Sequence, residues 1–501
     1  MAAHAEGRDG PVCHTVSEMH EQLAGIVGSE HVAADVTSLD SYGRDGSFAH
    51  PLSPWLVVRP ADEDQVRRVV VWANKTGAPL VPVSSGPPRA NGDTVPSVPG
   101  AVIVDTSRLD HVLRVDRRNR MAVIEPGVTW SRLQAELATY GMRVTPPLRP
   151  RANKSVVTSL LEREPTLIPR YNFHLPEPLR GCGVVWGTGQ TMFTGEAGSG
   201  PRSLEEQWDR GLVQADPKGP ASTDFFRLLT GAQGSMGIVT WASVKCELTP
   251  SVHKLRFVSA ASLADLVPLV YRLTRVRLGD ELLVLDGVCF ERLLASAGLS
   301  VTPGHLPPWT LILGLGGREH RAAARVEVAE KDVRDLAEHH GLALRSALNG
   351  VPTGAVVDLL RECSETPWRL AARGGSADVF FLTTLDRAQG HVELVDDVAA
   401  SLGMARPDVG VYLQPQHQGV SYHVEFSVAF DPTDDADARR AHEFHQMAAE
   451  RLMGAGAFFS RPYGSWARPV YNRDAASREA LRKVKRIFDP NGVLNPGKLC
   501  F

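Results

Sequence analysis

The sequence predicts an α+β fold, not a doubly wound parallel sheet, and three observations carry that expectation. Short βαβ-like units mix with hairpin-like strands between residues 55 and 143. No Gly-x-Gly-x-x-Gly follows a first strand and opens a helix, as a Rossmann-type dinucleotide site requires. At 501 residues the chain is too long for one simple core, so two domains are expected.

The elements follow in order. Residues 16–26 carry a helical apolar pattern, and polar loop fills the rest of a 50-residue N-terminal extension. PWLVVRPADEDQVRRVVVWANKTGAPLVPVSSG reads as strand, helix, strand. Asp62 or Asp64 caps the helix, Val66, Val69, Val70 and Ala73 form its apolar face, and Gly77 ends it. Strands are expected at 101–107, 111–116 and 120–127, then a helix over 129–141. Residues 182–197 read as a hairpin turning at Thr188–Gly189, and 224–248 as a helix, a glycine-rich turn and a long strand. A second domain is expected from about Pro250. Its helices lie at 263–278 and 320–342, its strands at 309–315 and 420–431, giving an α/β layer with one helical face. A strong helix ending at Gly454 or Gly456 precedes a last helix and a Pro/Gly-punctuated tail.

Composition excludes several function classes. With 54 basic and 57 acidic side chains the net charge is -3, which offers no general basic field for nucleic acid or anionic lipid. Six cysteines without a Cys-x-x-Cys pair argue against zinc and iron–sulfur sites and read as reduced thiols, so no metal is expected. The N-terminus lacks the pattern of a secretion signal, and no apolar run approaches the roughly 18 residues of a membrane span. The expectation is a cytoplasmic, non-membrane protein.

Three stretches give the sequence a family likeness. TGAQGSMGIVTWASV at 230–244, VIEPGVTWSRLQ at 123–134 and FDPNGVLNPGK at 488–498 occur in this order. Together they resemble the vanillyl-alcohol oxidase and para-cresol methylhydroxylase family of FAD-linked oxidoreductases, over about residues 55–501. The resemblance implies an FAD-binding domain in two pieces, 1–248 and 456–501, with a cap or substrate domain inserted at 249–455. It implies a small-molecule substrate, with oxygen or an electron-transfer protein as the acceptor, and a tendency to form homodimers.

For the cofactor, the resemblance points to the turn Ser84, Ser85 and Gly86, to Pro126 and Gly127, to Gly234, Gly237, Ile238 and Val239, and to Asn495 and Lys498. Glycine turns suit this task because backbone N–H groups can approach a pyrophosphate unobstructed. The family's second glycine-rich run is replaced here by RPRANKSVVTSLLER at 149–163. Ser155, Val156 and Val157 match, while Arg151, Asn153 and Lys154 stand where glycines are usual. No histidine lies between residues 80 and 95, and neither histidine nor tyrosine precedes Gly374–Gly375 in 362–384. Non-covalent FAD is therefore expected, with Cys363 the residual covalent candidate.

For the chemistry, the resemblance implies a phenolate substrate held by an arginine, with hydride leaving the para benzylic carbon to give a quinone methide. Arg461 matches that arginine, Ser460 replaces the preceding tyrosine, Tyr463 is near enough to substitute, and Tyr471 matches another tyrosine. The alternation of 421–431 sends Val424, Phe426 and Val428 to one face and His423 and Glu425 to the other, and His423 falls on a family histidine near the substrate. Tyr171 and His174 are further pocket candidates, and His174 or His423 would act as the base. A 2-hydroxy acid or sugar oxidoreductase, or a non-redox or ligand-binding protein on the same fold, are the alternatives.

Overall fold

Three main sheets organise the chain in the computed structural model, which describes residues 15–169, 178–195, 203–209, 225–302, 304–404, 408–416 and 419–501. The first sheet has the order Val32–Ala33, Leu56–Val58, Val102–Asp105, Leu80–Val83, the last three parallel. Strand Leu56–Val58 is apolar at every position because both its faces are covered. Leu56 and Val58 pack on helices Val16–Val27 and Glu63–Thr76, while Val57 packs on Tyr42. Tyr42 belongs to a helix, Val36–Gly43, where loop was expected. Asp35 caps it, and only Tyr42 and Gly43 are buried, too few to make a periodic pattern. Asp62, not Asp64, caps the helix Glu63–Thr76, its side chain accepting from Gln65 N at 2.8 Å.

The second sheet is antiparallel in the order Val112–Asp116, Met121–Ile124, Gly237–Lys245, Leu179–Trp186, Thr191–Gly195. The helix expected before Gly237 is reduced, among the described residues, to one 3-10 turn at Phe226–Leu228. Gly231, Gln233 and Gly234 all take positive φ, which no helix continues through.

The third sheet has seven strands in the order Leu344–Arg345, Val252–Ala260, Trp309–Gly317, Leu282–Asp286, Val409–Pro415, Tyr422–Phe430, Gly375–Thr383, and every pair is antiparallel. Helices Leu263–Arg275, Ala322–His339, Leu385–Ser401 and Asp435–Gly454 cover one face and enclose the largest apolar cluster. Helices Gly287–Ala295 and Thr353–Arg361 cover part of the other. The uncovered remainder, on the last three strands, faces a cavity.

From Gly454 the chain returns to the other sheets. Phe458 exchanges two backbone hydrogen bonds with Leu382, and Leu494 bridges in parallel to Leu80. No helix among the described residues is long and apolar enough to cross a membrane.

Candidate active site

A cavity of about 360 Å³ lies where the three sheets meet. Its first wall is the carboxyl end of strand Leu80–Val83, running into Ser84 and Ser85. The carbonyls of this turn are already occupied. Arg89 Nη1 donates to Ser85 O at 3.2 Å, Arg151 Nη1 to Gly86 O at 2.6 Å, and Asn153 Nδ2 to Pro87 O at 3.1 Å. Ser155 N donates to Ser85 Oγ at 3.0 Å, and Ser84 Oγ is hydrogen-bonded to Thr158 Oγ1. The amides of Ser85 and Gly86 have no acceptor among the described residues.

The facing wall is the loop 229–239. Here too the carbonyls are held from outside: Asn495 Nδ2 donates to Gln233 O at 2.6 Å, and Lys485 Nζ donates to Ser235 O. The amides of Gln233 and Gly234 have no acceptor among the described residues. Two loops with unfilled N–H groups across one cavity are what a pyrophosphate needs. Gly127 serves differently. A Cβ there would lie 2.4 Å from Ser107 O, so this glycine permits backbone packing behind Pro126, which does line the cavity.

The wall also carries orphaned polar atoms. Thr94 Oγ1, Arg149 Nε, Trp368 Nε1, His445 Nδ1 and Trp466 Nε1 are buried without a hydrogen-bond partner among the described residues, and all five residues line the cavity. Unmet groups clustered in one place indicate a bound ligand. The residues therefore fit FAD, and Ser84, Ser85, Pro126, Gly234, Gly237, Ile238 and Val239 are the sequence-identified positions that face it. Asn495 and Lys498 do not line the cavity; Lys498 Nζ straps Gly92 O and Val95 O, both at 2.7 Å. Gly127, Asn153 and Ser155 likewise act from the layer behind, and of the two open amides in the Ser84 turn only that of Ser85 belongs to a residue lining the cavity. Cys363 is turned away, its thiol donating to Gln134 Oε1 at 3.1 Å and pushed up to about 11 by burial.

Beside the Ser84 turn lies a carboxylate cluster that sequence reasoning missed. Lys154 Nζ bonds Glu162 Oε2 at 2.7 Å and Glu164 Oε1 at 2.6 Å, and Asp93 completes the group. Burial raises Glu162 to about 7 against the pull of Lys154, with Asp93 adding to the rise. Lys154 is thus committed to carboxylates and is not free to pair with a phosphate.

The cap supplies the remaining walls. Strand alternation places Ser376, Asp378 and Phe380 on one face, beside Glu425 and Tyr412 of the neighbouring strands. Arg369, from the 3-10 turn Trp368–Ala371, bonds Glu425 Oε1 and lies 3.7 Å from Asp378 Oδ2. Burial pushes Glu425 up, but Arg369 and the hydrogen bond to His423 outweigh it and hold the carboxyl at about 2. Burial lifts Asp378 to about 6 despite Arg369. His423 is on the face opposite Val424, yet it does not line the cavity. Its Nε2 meets Glu425 Oε2 at 3.2 Å, and burial lowers its pKa.

Arg461 does line the cavity, 7% exposed, with its guanidinium 4.2 Å from the Phe380 ring centre. It has no salt bridge or hydrogen bond to any described residue. The Phe458–Leu382 bridge and a 3.1 Å bond from Gln233 Nε2 to Pro462 O fix its loop. Tyr463 adjoins it, its phenol kept neutral by burial. Tyr471 lies outside this wall, beside Arg163 and Cys500. Tyr171 and His174 lie outside the described residues. Among the described residues no three His, Cys, Asp or Glu side chains are grouped to hold a metal.

Residues 54–156 match the FAD binding domain family, and 250–499 match the C-terminal domain of FAD linked oxidases. An uncharacterized FAD-linked oxidoreductase of Mycobacterium tuberculosis is 24% identical over 496 residues, covering 96% of this chain and 99% of its own. The D-2-hydroxyglutarate dehydrogenase of Stutzerimonas stutzeri is 23% identical over 492 residues, covering 96% and 98%. The substrate-bound structure of p-cresol methylhydroxylase superposes with a TM-score of 0.79 at 20% identity, covering 97% of this chain and 96% of its own. The cofactor is FAD, held without a covalent bond, and the protein is an FAD-dependent oxidoreductase. Matched over residues 54–156 and 250–499, the chain belongs to the FAD-linked oxidases.

Proposed function

We propose that the protein oxidises a small, para-substituted phenolic alcohol or alkylphenol bound as its anion. One observation carries this reading: Arg461 is a buried cation with no salt bridge or hydrogen bond among the described residues, only the longer-range field of Glu164, in a cavity walled by Phe380, Tyr412, Tyr463, Trp368 and Trp466. A buried positive charge left unpaired is costly, and a phenolate offsets it while its ring fills the aromatic walls.

FAD, when bound, supplies the two-electron acceptor that takes a hydride from the benzylic carbon. Arg461 holds the oxyanion and favours ionisation of the bound phenol. Tyr463 donates a hydrogen bond to the same oxygen. Asp378, about 6 and a quarter exposed, is the group suited to take a proton as water adds to the oxidised substrate. His423, bound to Glu425, positions that carboxylate and through it Arg369. Reoxidation falls to oxygen or to an electron-transfer protein, and oxygen uptake under turnover separates the two.

A 2-hydroxy acid is the second reading. Arg149 favours it: a second cavity-lining guanidinium with an unpaired nitrogen suits a carboxylate. Anaerobic mixing of the holoprotein with para-alkylphenols, 2-hydroxy acids and sugars decides. Bleaching of the flavin band by phenols alone is expected; bleaching by hydroxy acids alone would move the assignment to the second reading.

A further inference from the structure

The net charge of -3 conceals a strong asymmetry along the chain. Residues 460–501 carry nine basic and three acidic side chains, while the rest of the chain carries 45 and 54, so a segment at +6 is set against a remainder at -9. The three acids of this segment are already engaged. Asp489 is buried and paired with Lys485, Asp474 caps the last helix, and Glu479 bonds Arg486 at 3.1 Å.

The excess is gathered on one surface. On the helix Ala475–Phe488, Leu481, Val484 and Phe488 pack inward, leaving Arg482, Lys483, Arg486 and Ile487 exposed. Arg482 Nε donates to Cys500 O at 2.9 Å, Tyr471 lies within electrostatic reach of both Cys500 and Arg163, and Arg163 within reach of Arg227. Phe225, itself exposed, meets the Phe488 ring at 5.3 Å and completes the patch. Five exposed cations thus adjoin two exposed apolar side chains. The same surface is the outer side of a cavity wall. Arg163 Nη2 donates to Thr230 Oγ1 at 2.6 Å, and the next residue, Gly231, lines the cavity. Lys485 of the same helix holds Ser235 O in that loop. One thickness of chain therefore separates this basic surface from the cofactor cavity.

Cations exposed to solvent do not serve a ligand enclosed in the cavity, but they steer an acidic partner, and exposed apolar groups among them give it a contact. Ile487 and Phe225 are too little apolar surface to lodge in a bilayer. We propose that this face docks an acidic one-electron carrier protein that reoxidises the flavin. For each substrate oxidised, two carrier molecules each take one electron and two protons pass to water. The proposal rests on the oxidoreductase activity and decides the acceptor left open above, whichever substrate supplies the electrons.

The test uses holoprotein whose flavin is reduced photochemically, without substrate, and then mixed anaerobically with plastocyanin, an acidic copper protein, or with mitochondrial cytochrome c, a basic haem protein. Plastocyanin is expected to reoxidise the flavin about ten-fold faster or more at about 0.01 M salt, the advantage vanishing towards about 1 M. Lys483→Glu/Arg486→Glu should reverse that order while leaving reoxidation by an uncharged quinone unchanged. Arg163→Gln, on the other side of the patch, should lower the plastocyanin rate alone, and serves should the double variant fold poorly. Equal rates with the two proteins at low salt, or a wild-type order in the double variant and in Arg163→Gln, overturns the proposal. Binding to phosphatidylglycerol vesicles that the double variant loses, without any preference for plastocyanin, gives the face to a membrane and overturns it too. Rapid reoxidation by oxygen and by neither protein makes the protein an oxidase; the proposal then falls, while the substrate assignment, read from anaerobic reduction, stands.

Discussion

Arg461 and Arg369 line one cavity but stand in opposite electrostatic situations. Arg369 is neutralised by Glu425 and Asp378, whereas Arg461 rests on a ring face. Arg461→Ala should cut the second-order rate for phenolate substrates by about 10- to 100-fold, the worth of a charged hydrogen bond. Its melting temperature should stay close to wild type, because no salt bridge is lost and Glu164 keeps its direct bond to Lys154. Arg369→Ala should instead destabilise by about 3–5 kcal/mol in denaturant titrations, since Glu425 would remain buried and unpaired. Glu425 also sets an acid limit. Its folded value of about 2 lies below the ordinary carboxylate value of 4.5, so its stabilisation is present above 4.5 and is lost as pH falls from there towards 2. Glu425→Gln should flatten the acid limb of a melting-temperature profile. Arg369, Asp378 and His445 were hard to see in the sequence. Arg369 sits in an irregular turn without period, and His445 falls on the apolar face of its helix with Ala441, Ala448, Ala449 and Leu452, where spacing marks core and not a cavity wall. Asp378 was nearer to legible, since Ser376 and Asp378 alternate with Ala377 and Val379, yet alternation does not tell a cavity from solvent.

At the scale of elements, the C-terminal helix Ala475–Phe488 holds the cofactor loop without touching the ligand. Buried Lys485 caps Ser235 O and Leu494 O and pairs with Asp489, whose carboxylate also receives Val493 N and Leu494 N. Lys485→Met should destabilise by about 3–5 kcal/mol and weaken FAD binding in a fluorescence titration, with little change in substrate preference. The segment 154–164 predicts a pH dependence of its own. FAD brings negative charge beside Glu162, so binding favours the protonated carboxyl. Affinity should therefore fall as pH rises through about 7, and Glu162→Gln should remove the slope. The resemblance located this segment as the place where glycines are replaced, but adjacency of Asp93 to Glu162 is a tertiary fact that spacing does not contain.

Over the whole molecule, the cavity takes walls from the Ser84 turn, the glycine loop, the seven-stranded sheet and the returning chain. FAD should then stabilise all of them at once. At a hundred times its dissociation constant it adds about 2.7 kcal/mol, seen as one cooperative calorimetric transition moving upward, not as one of two peaks moving. The fold was largely legible because its strands are apolar runs bounded by Gly and Pro, and because three motifs fixed their order. The antiparallel pairing of the seven-stranded sheet was not, since strand and helix alternation suits either sense of pairing. The bridge from Leu494 to Leu80 has a consequence for biosynthesis. Asn495, which donates to Leu80 O and to Asp93 O, follows Asp93 by 402 residues. On the ribosome the first sheet must wait with an open edge while the entire cap is made, so the cofactor site can form only after translation has passed Asn495, and a chaperone that shields that edge would act during the interval.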